Sequence, residues 1–312
     1  MSKVALVLPG GGYRGAKQVG FAKELFVRKQ PSIIQGVSVG ALNAAGLVEI
    51  GPDGIEARWR EIERKGPSSI FNWIKALTRF FFSSYFFPDK GLAELVNQIG
   101  IEKIINSPIE LQVVVRNENT KEKVVFSSRD DRIINNPEIL RKAIRASASL
   151  PGFFPAVEIE GEWYSDGYYF DLEELVDNDT ICVVFNDDPA AINKDLHAAH
   201  CFKRMFVGYG EVLDDMIEEK IDNFLEHHSE FNEFKVDSNL NPILRSAKKF
   251  IDRGKKLVGL GKQLIAISPS YSISTLELDT FKPPNKSQEG DISKAIRLSQ
   301  EQAKRLLDQI TL

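Results

Sequence analysis

Twice within the first fifty residues an unbroken apolar run gives way, through glycine, to a segment of helical periodicity. Lys3 to Leu8 is aliphatic and β-branched and stops at Pro9 and Gly10; Ala16, Val19, Ala22, Leu25 and Phe26 then recur at helical spacing between Arg14 and Lys29. Ser32 to Val37 repeats the strand signal, and Ala41 to Ile50 repeats the helix signal, which ends at Gly51. Two βα units in succession predict a parallel sheet covered by helices. Ile109 to Val115 and Lys123 to Ser127 are strand candidates on either side of the turn-like Arg116-Asn117-Glu118-Asn119-Thr120, and Thr180 to Phe185 reads as a buried strand. The elements predict one three-layer α/β/α domain over residues 1–312, with a mostly parallel central sheet of about six strands. Its core spans about 3–186, and the remainder, about 187–312, is expected to pack around it as helical additions. The most linker-like segment, Lys282 to Gly290, comes too late to divide two domains, and the sequence contains no internal repeat.

Composition narrows the class. A hydrophobic content of 43% suits a globular α/β protein with a sizeable core. The apolar run between Met1 and Pro9 is too short for a signal peptide or a membrane span, and no later stretch is long enough to span a bilayer. The expectation is a cytoplasmic protein, at most peripheral at a membrane. Cys182 and Cys201 are too few for a disulfide framework and lie in no metal-ligand spacing, so both read as core thiols and no metal site is expected. The net charge of −4 conceals an asymmetry, because residues 1–150 carry +7 and residues 151–312 carry −11. Such asymmetry marks either a face for an anionic partner such as a lipid surface or ordinary solvated faces.

Two glycine turns carry the candidate chemistry. Gly36-Val37-Ser38-Val39-Gly40 fits G-x-S-x-G between a strand and a helix, the setting in which a cramped turn lifts a serine hydroxyl above the end of a sheet. Gly10-Gly11-Gly12-Tyr13-Arg14-Gly15 also joins a strand to a helix, where consecutive glycines expose backbone N–H groups to an anion. The same residues spell G-x-G-x-x-G, but a dinucleotide site needs an acidic residue about twenty positions on. Ile33 to Ser38 contains none, and the serine motif occupies that place.

Further along, Ala146-Ser147-Ala148-Ser149-Leu150-Pro151-Gly152-Phe153-Phe154-Pro155 is followed by Asp166-Gly167 within Trp163-Tyr164-Ser165-Asp166-Gly167-Tyr168. Glycine loop, G-x-S-x-G, Ala-Ser-x-x-x-Pro-G-x-F-P and Asp-Gly, in that order, resemble the patatin family, over about residues 3–186. The resemblance implies a patatin-like fold and hydrolysis of acyl-lipid esters, phospholipids or lysophospholipids among them, at a membrane or micelle surface. It makes Ser38 the nucleophile, Asp166 the base, Gly10, Gly11 and Gly12 the oxyanion hole, and Arg14 a brace for that loop. A serine hydroxyl attacks only once a base takes its proton, and the tetrahedral oxyanion then needs fixed donors. Neither step needs a cofactor. The sequence departs from the family where Tyr168 replaces the usual Gly or Ala after Asp-Gly, and where Phe170-Asp171-Leu172-Glu173-Glu174 replaces Asn-x-Pro. Those changes bear on substrate fit, and Asp171 reads as a solvated turn residue. Two alternatives stand beside the dyad: a Ser-His-Asp esterase using His197 or His200, and a lipid-binding or signalling module of the same fold with little or no activity.

Ile70 to Pro88 is the most aromatic part of the chain. Ile70, Trp73, Ile74 and Leu77 form one helical stripe, and Phe80, Phe81, Phe82, Phe86 and Phe87 exceed it, as core residues or as a substrate- or membrane-facing edge. Arg245 to Lys262 is strongly basic and reads either as a solvated helix or as a surface for anionic lipid. Its aromatic residues do not interleave as single-stranded nucleic acid would require, and no nucleic-acid partner is expected.

Overall fold

The computed structural model describes residues 2–66, 90–184, 219–236, 262–267, 283–285 and 288–308. β1 (Val4–Leu8), β2 (Ile33–Gly36), β3 (Glu110–Asn117), β7 (Thr180–Val184), β8 (Phe231–Val236) and β9 (Lys262–Ile267) form parallel pairs in the spatial order β3-β2-β1-β7-β9-β8. On the far side of β3 the sheet turns antiparallel, with β6 (Glu162–Asp166) and then β5 (Val157–Ile159) continuing it, while β4 (Lys123–Ser127) also pairs β3.

Residues of a strand alternate between two faces, and here they enter two separate cores. Val4, Leu6 and Leu8 of β1 join one core and Ala5 and Val7 the other; Cys182 and Val184 of β7 are divided in the same way from Ile181 and Val183. Both faces are therefore covered, which is why these strands read as continuous apolar runs. The larger core is roofed by α1 (Ala16–Arg28), α2 (Val39–Lys65), α3 (Lys90–Asn97), α4 (Ile101–Ile105), α6 (Glu138–Ser147) and α7 (Asp291–Leu307), with the short α5 (Asp131–Asn135) between β4 and α6. The smaller core includes Phe170, Leu172 and Leu175, together with Ile221 and Phe224 from the helical stretch 219–227. The α/β class and the mostly parallel sheet expected from the βα pattern are those observed.

Three features depart from expectation. The sheet has nine strands among the described residues, because β5, β6, β8 and β9 are short or paired only at a distance in sequence. Residues beyond 187 were expected as helices, yet β8 and β9 extend the parallel sheet from there. The helix expected to stop at Gly51 does break, with φ 71° at Gly51, but beyond this kink Pro52 begins a second helical run that continues to Lys65. Proline is well suited to a first helical turn, where its missing N–H is not needed. That second run carries Glu63, a buried carboxylate accepting the Ser293 N–H (3.0 Å) and hydroxyl (2.5 Å) at the start of α7, where the helix dipole favours negative charge.

Candidate active site

β1 and β2 lie side by side, so the turns that follow them emerge together at one end of the sheet. Ser38 occupies the turn between β2 and α2 with φ 57° and ψ −127°, a conformation that costs a non-glycine residue about 1–3 kcal/mol. Its surroundings enforce it. The Val37 N–H donates to the Leu8 carbonyl (3.0 Å), and the Ser38 N–H donates to the Ser147 hydroxyl (3.0 Å), which itself donates to the Val114 carbonyl (2.7 Å). At Gly40 a Cβ would stand 1.8 Å from the Leu8 carbonyl oxygen, so only glycine lets the first turn of α2 come so near β1. Nothing local in the Ala146-Ser147 block marks this role for Ser147; the contact with the Ser38 amide arises because α6 packs against β3.

The glycine loop runs beside this turn. A Cβ on Gly10 would stand 3.0 Å from the Ser38 Cβ, and Gly12 has φ 57°. The Arg14 N–H (3.2 Å) and its Nε (3.3 Å) both donate to the Gly11 carbonyl. That carbonyl shares a planar peptide with the Gly12 N–H, so holding one end orients the other.

Asp166 closes β6 and is 2% exposed. The Tyr168 N–H donates to Oδ1 of its carboxylate (2.8 Å). Burial pushes the Asp166 carboxyl from 3.8 up to about 6, while the Ser38 hydroxyl and the Tyr168 N–H pull it back; a charge is costly away from water unless paired. Tyr168 itself has φ 62°, in the place where the family resemblance leads one to expect a small residue. Arg116 reaches its side chain and lies 5.6 Å from the ring centroid.

Ser38 and Gly12 line a cavity of about 380 Å³ between α2 and α3. Its walls are Leu42, Ile55, Trp59, Ile62, Leu92, Leu95, Ile99 and Phe154, and Arg58, Glu61, Lys65 and Glu94 supply charge. A concave, mainly apolar site with few polar groups suits a small apolar ligand or one acyl chain.

The remaining expectations separate. Asp171, read as a solvated turn residue, forms an ion pair with Lys123 (3.4 Å), and its backbone exchanges two hydrogen bonds with Gln35. It is a clasp between β2, β4 and the loop after β6. His228 contacts Glu173 (2.9 Å). Phe80, Phe81, Phe82, Phe86 and Phe87 lie outside the described residues, as do His197, His200 and Cys201. The basic run from Arg245 does too, except Lys262, whose ammonium donates to the Val176 carbonyl. No helix among the described residues is long and apolar enough to cross a membrane.

A family model described as patatin-like phospholipase matches residues 6–179, more than half of the chain. The chain belongs to the patatin-like phospholipase family. At the level of that family it is a lipid-hydrolysing esterase. Among solved structures, this patatin-like chain is similar to VipD from Legionella pneumophila at 14% identity and a TM-score of 0.44, over 99% of this chain and 67% of that one. It is also similar to full-length ExoU from the type III secretion system of Pseudomonas aeruginosa, solved with SpcU, at 13% identity and a TM-score of 0.30. That match covers 71% of this chain and 52% of the other, so it spans about half of that protein's length. No curated protein matches the sequence.

Proposed function

We propose that this protein hydrolyses carboxylic esters of phospholipids or lysophospholipids at a lipid surface, through an acyl-serine on Ser38. The observation that carries the reading is the buried Asp166 carboxylate, whose proton affinity the Ser38 hydroxyl lowers, beside a serine held at φ 57° against the glycine loop. Ser38 Oγ attacks the ester carbonyl carbon while its proton passes to Asp166. Burial matters here, because moving a carboxyl from 3.8 to about 6 raises its proton affinity roughly a hundredfold. The negative charge that develops on the carbonyl oxygen falls to amides of the Gly10–Gly12 loop, with the positive end of α2 adding to their field. Collapse of the tetrahedral intermediate breaks the ester C–O bond, and the departing alcohol, a lysophospholipid or, from a lysophospholipid substrate, a glycerophosphodiester, takes the proton back from Asp166. Water then attacks the acyl-serine with Asp166 again as base, releasing the fatty acid and regenerating Ser38. The cavity between α2 and α3 holds the acyl chain, and each buried methylene contributes about 0.8 kcal/mol. Arg14 holds the Gly11–Gly12 peptide in place during both steps.

The test is a fluorophosphonate label with peptide mapping, alongside fatty-acid release from phospholipid vesicles. Label is expected on Ser38, and Ser38→Ala and Asp166→Asn are expected to abolish release while His197→Ala and His200→Ala retain it. Loss in either histidine variant with folding unchanged would replace the dyad by a triad. Label confined to another residue would remove Ser38 from the reaction.

A further inference from the structure

Behind the glycine loop, in the larger core, three polar side chains are linked in a line. Trp59 Nε1 donates to Asn43 Oδ1 (2.8 Å), Asn43 Nδ2 donates to Gln18 Oε1 (2.8 Å) and to the Gly15 carbonyl (2.8 Å), and Gln18 Nε2 donates to the Pro9 carbonyl (2.7 Å). Gln18, Asn43 and Trp59 are all buried, with at most 4% exposed. They come from α1 and from both halves of α2, so the line ties two helices to the turn after β1. Trp59 only donates, while Asn43 and Gln18 each accept at one end and donate at the other, so the donors all point the same way along the line and strengthen one another in a low-dielectric core.

The end of the line is the informative part. The Pro9 carbonyl belongs to the same planar peptide as the Gly10 N–H, and in a trans peptide the two point in opposite directions. A donor fixed on that carbonyl therefore sets the direction of the Gly10 N–H. Gly10 is also the loop residue that packs against Ser38. The same carbonyl is also crowded by α2, since a Cβ on Gly40 would stand 2.8 Å from the Pro9 carbonyl oxygen. Trp59 adds a second link, because its ring lines the cavity beside Ser38 while its N–H starts the line.

We propose that Gln18, Asn43 and Trp59 form a positioning chain that aims the Gly10 N–H at the oxyanion and joins the acyl-chain wall to the oxyanion loop. This rests on the assignment of the Gly10–Gly12 loop made above. A side-chain network that served stability alone would leave the loop indifferent to its loss once the protein had folded. A positioning chain acts on the transition state more than on the bound substrate.

Gln18→Met keeps the length of the side chain and removes the donor to Pro9, and Trp59→Phe keeps an aromatic wall and removes the first N–H. Each is assayed on a short soluble ester, which does not depend on the far wall, and titrated with a trifluoromethyl ketone that forms a tetrahedral adduct on Ser38. For Gln18→Met, kcat should fall about tenfold, less than the 10²–10³ that follows outright loss of an oxyanion donor, with KM within about twofold. Affinity for the ketone should fall by the same factor as kcat/KM, and Trp59→Phe should shift both in the same direction by less. Unchanged kcat and ketone affinity in folded variants, with the wild type active, would overturn the chain and leave the loop assignment standing. Equal weakening of the ketone and of a substrate-like amide that forms no adduct would also overturn it. If Gln18→Met does not fold, Trp59→Phe decides by the same criteria. A wild type inert towards both ester and ketone would remove the loop assignment and the chain together.

Discussion

The two sides of the candidate site are built from different kinds of sheet. Ser38 follows a strand at the centre of the parallel sheet, with β1 and β3 on either side of β2, whereas Asp166 ends a strand in the antiparallel part, paired with β3 and the three-residue β5. The central position supplies rigid backbone in every direction: Leu8 and Val37 in the sheet, Ser147 and Val114 above, Gly40 behind. It can therefore keep a serine at φ 57°. The antiparallel side offers fewer backbone partners, and what it controls is solvation. Asp166 is buried under the Ser149 carbonyl and the Tyr168 turn, and that burial is what raises its proton affinity. In the dyad proposed above, the nucleophile is prepared by geometry and the base by its environment, and substitutions should separate the two.

The largest separation is expected between Ser38→Ala and Asp166→Asn. Both should reduce kcat by more than about 10³-fold, but only the second should stabilise the fold. Because the folded carboxyl lies near 6 and the ordinary value is 3.8, Asp166 favours the folded state most below pH 3.8 and loses that contribution as pH rises through about 6. Asparagine carries no charge to desolvate and its amide oxygen still accepts from Tyr168, so at pH 8 it should gain up to about 3 kcal/mol. Thermal unfolding of the variant and the wild type at pH 4 and pH 8 measures this. An equal gain at both values would show that charge burial is not the cause.

The next effect is on the pH profile. The base must be ionised, so kcat/KM on a soluble ester should hold above about pH 6 and fall about tenfold per pH unit below it. A midpoint near the ordinary carboxylate value would mean that the environment does not prepare the base, and the contrast between the two sides would fail.

Backbone strain gives the smallest effect and concerns both sides. Ser38→Gly should be more stable than Ser38→Ala by about 1–2 kcal/mol, since only glycine relaxes at positive φ. Tyr168→Gly relieves the same kind of strain at φ 62° but gives up the Arg116 contact, so its gain in chemical denaturation should stay below about 1 kcal/mol. A larger gain at Tyr168 than at Ser38 would place the greater strain beside the base and reverse the comparison.

β1, β2 and the two glycine turns were legible because their signals are local. A strand covered on both faces must be apolar throughout, and a turn forced into positive φ or against a neighbouring carbonyl must carry glycine, as at Gly12 and Gly40. The Ala-Ser and Asp-Gly blocks were recognised by likeness to a family, since nothing local to Asp166 marks it as a partner of Ser38. β8 and β9 were not foreseen, because parallel pairing is settled between segments distant in sequence. Asp171 shows the same limit: its composition suits a solvated turn, and only the approach of Lys123 and Gln35 makes it a clasp.

By itself, then, the sequence determined which residues must lie inside the sheet, where the chain must turn tightly, and which hydroxyl stands on such a turn. Tertiary structure alone decided that the Asp166 carboxylate is buried where that hydroxyl acts on it, and that Gln18, Asn43 and Trp59 line up behind Pro9. The reason is that hydrophobic periodicity records which face of an element is covered and carries no record of what covers it. Proton affinity and hydrogen-bond direction depend on that covering, and they arise only when elements far apart in the chain have packed together.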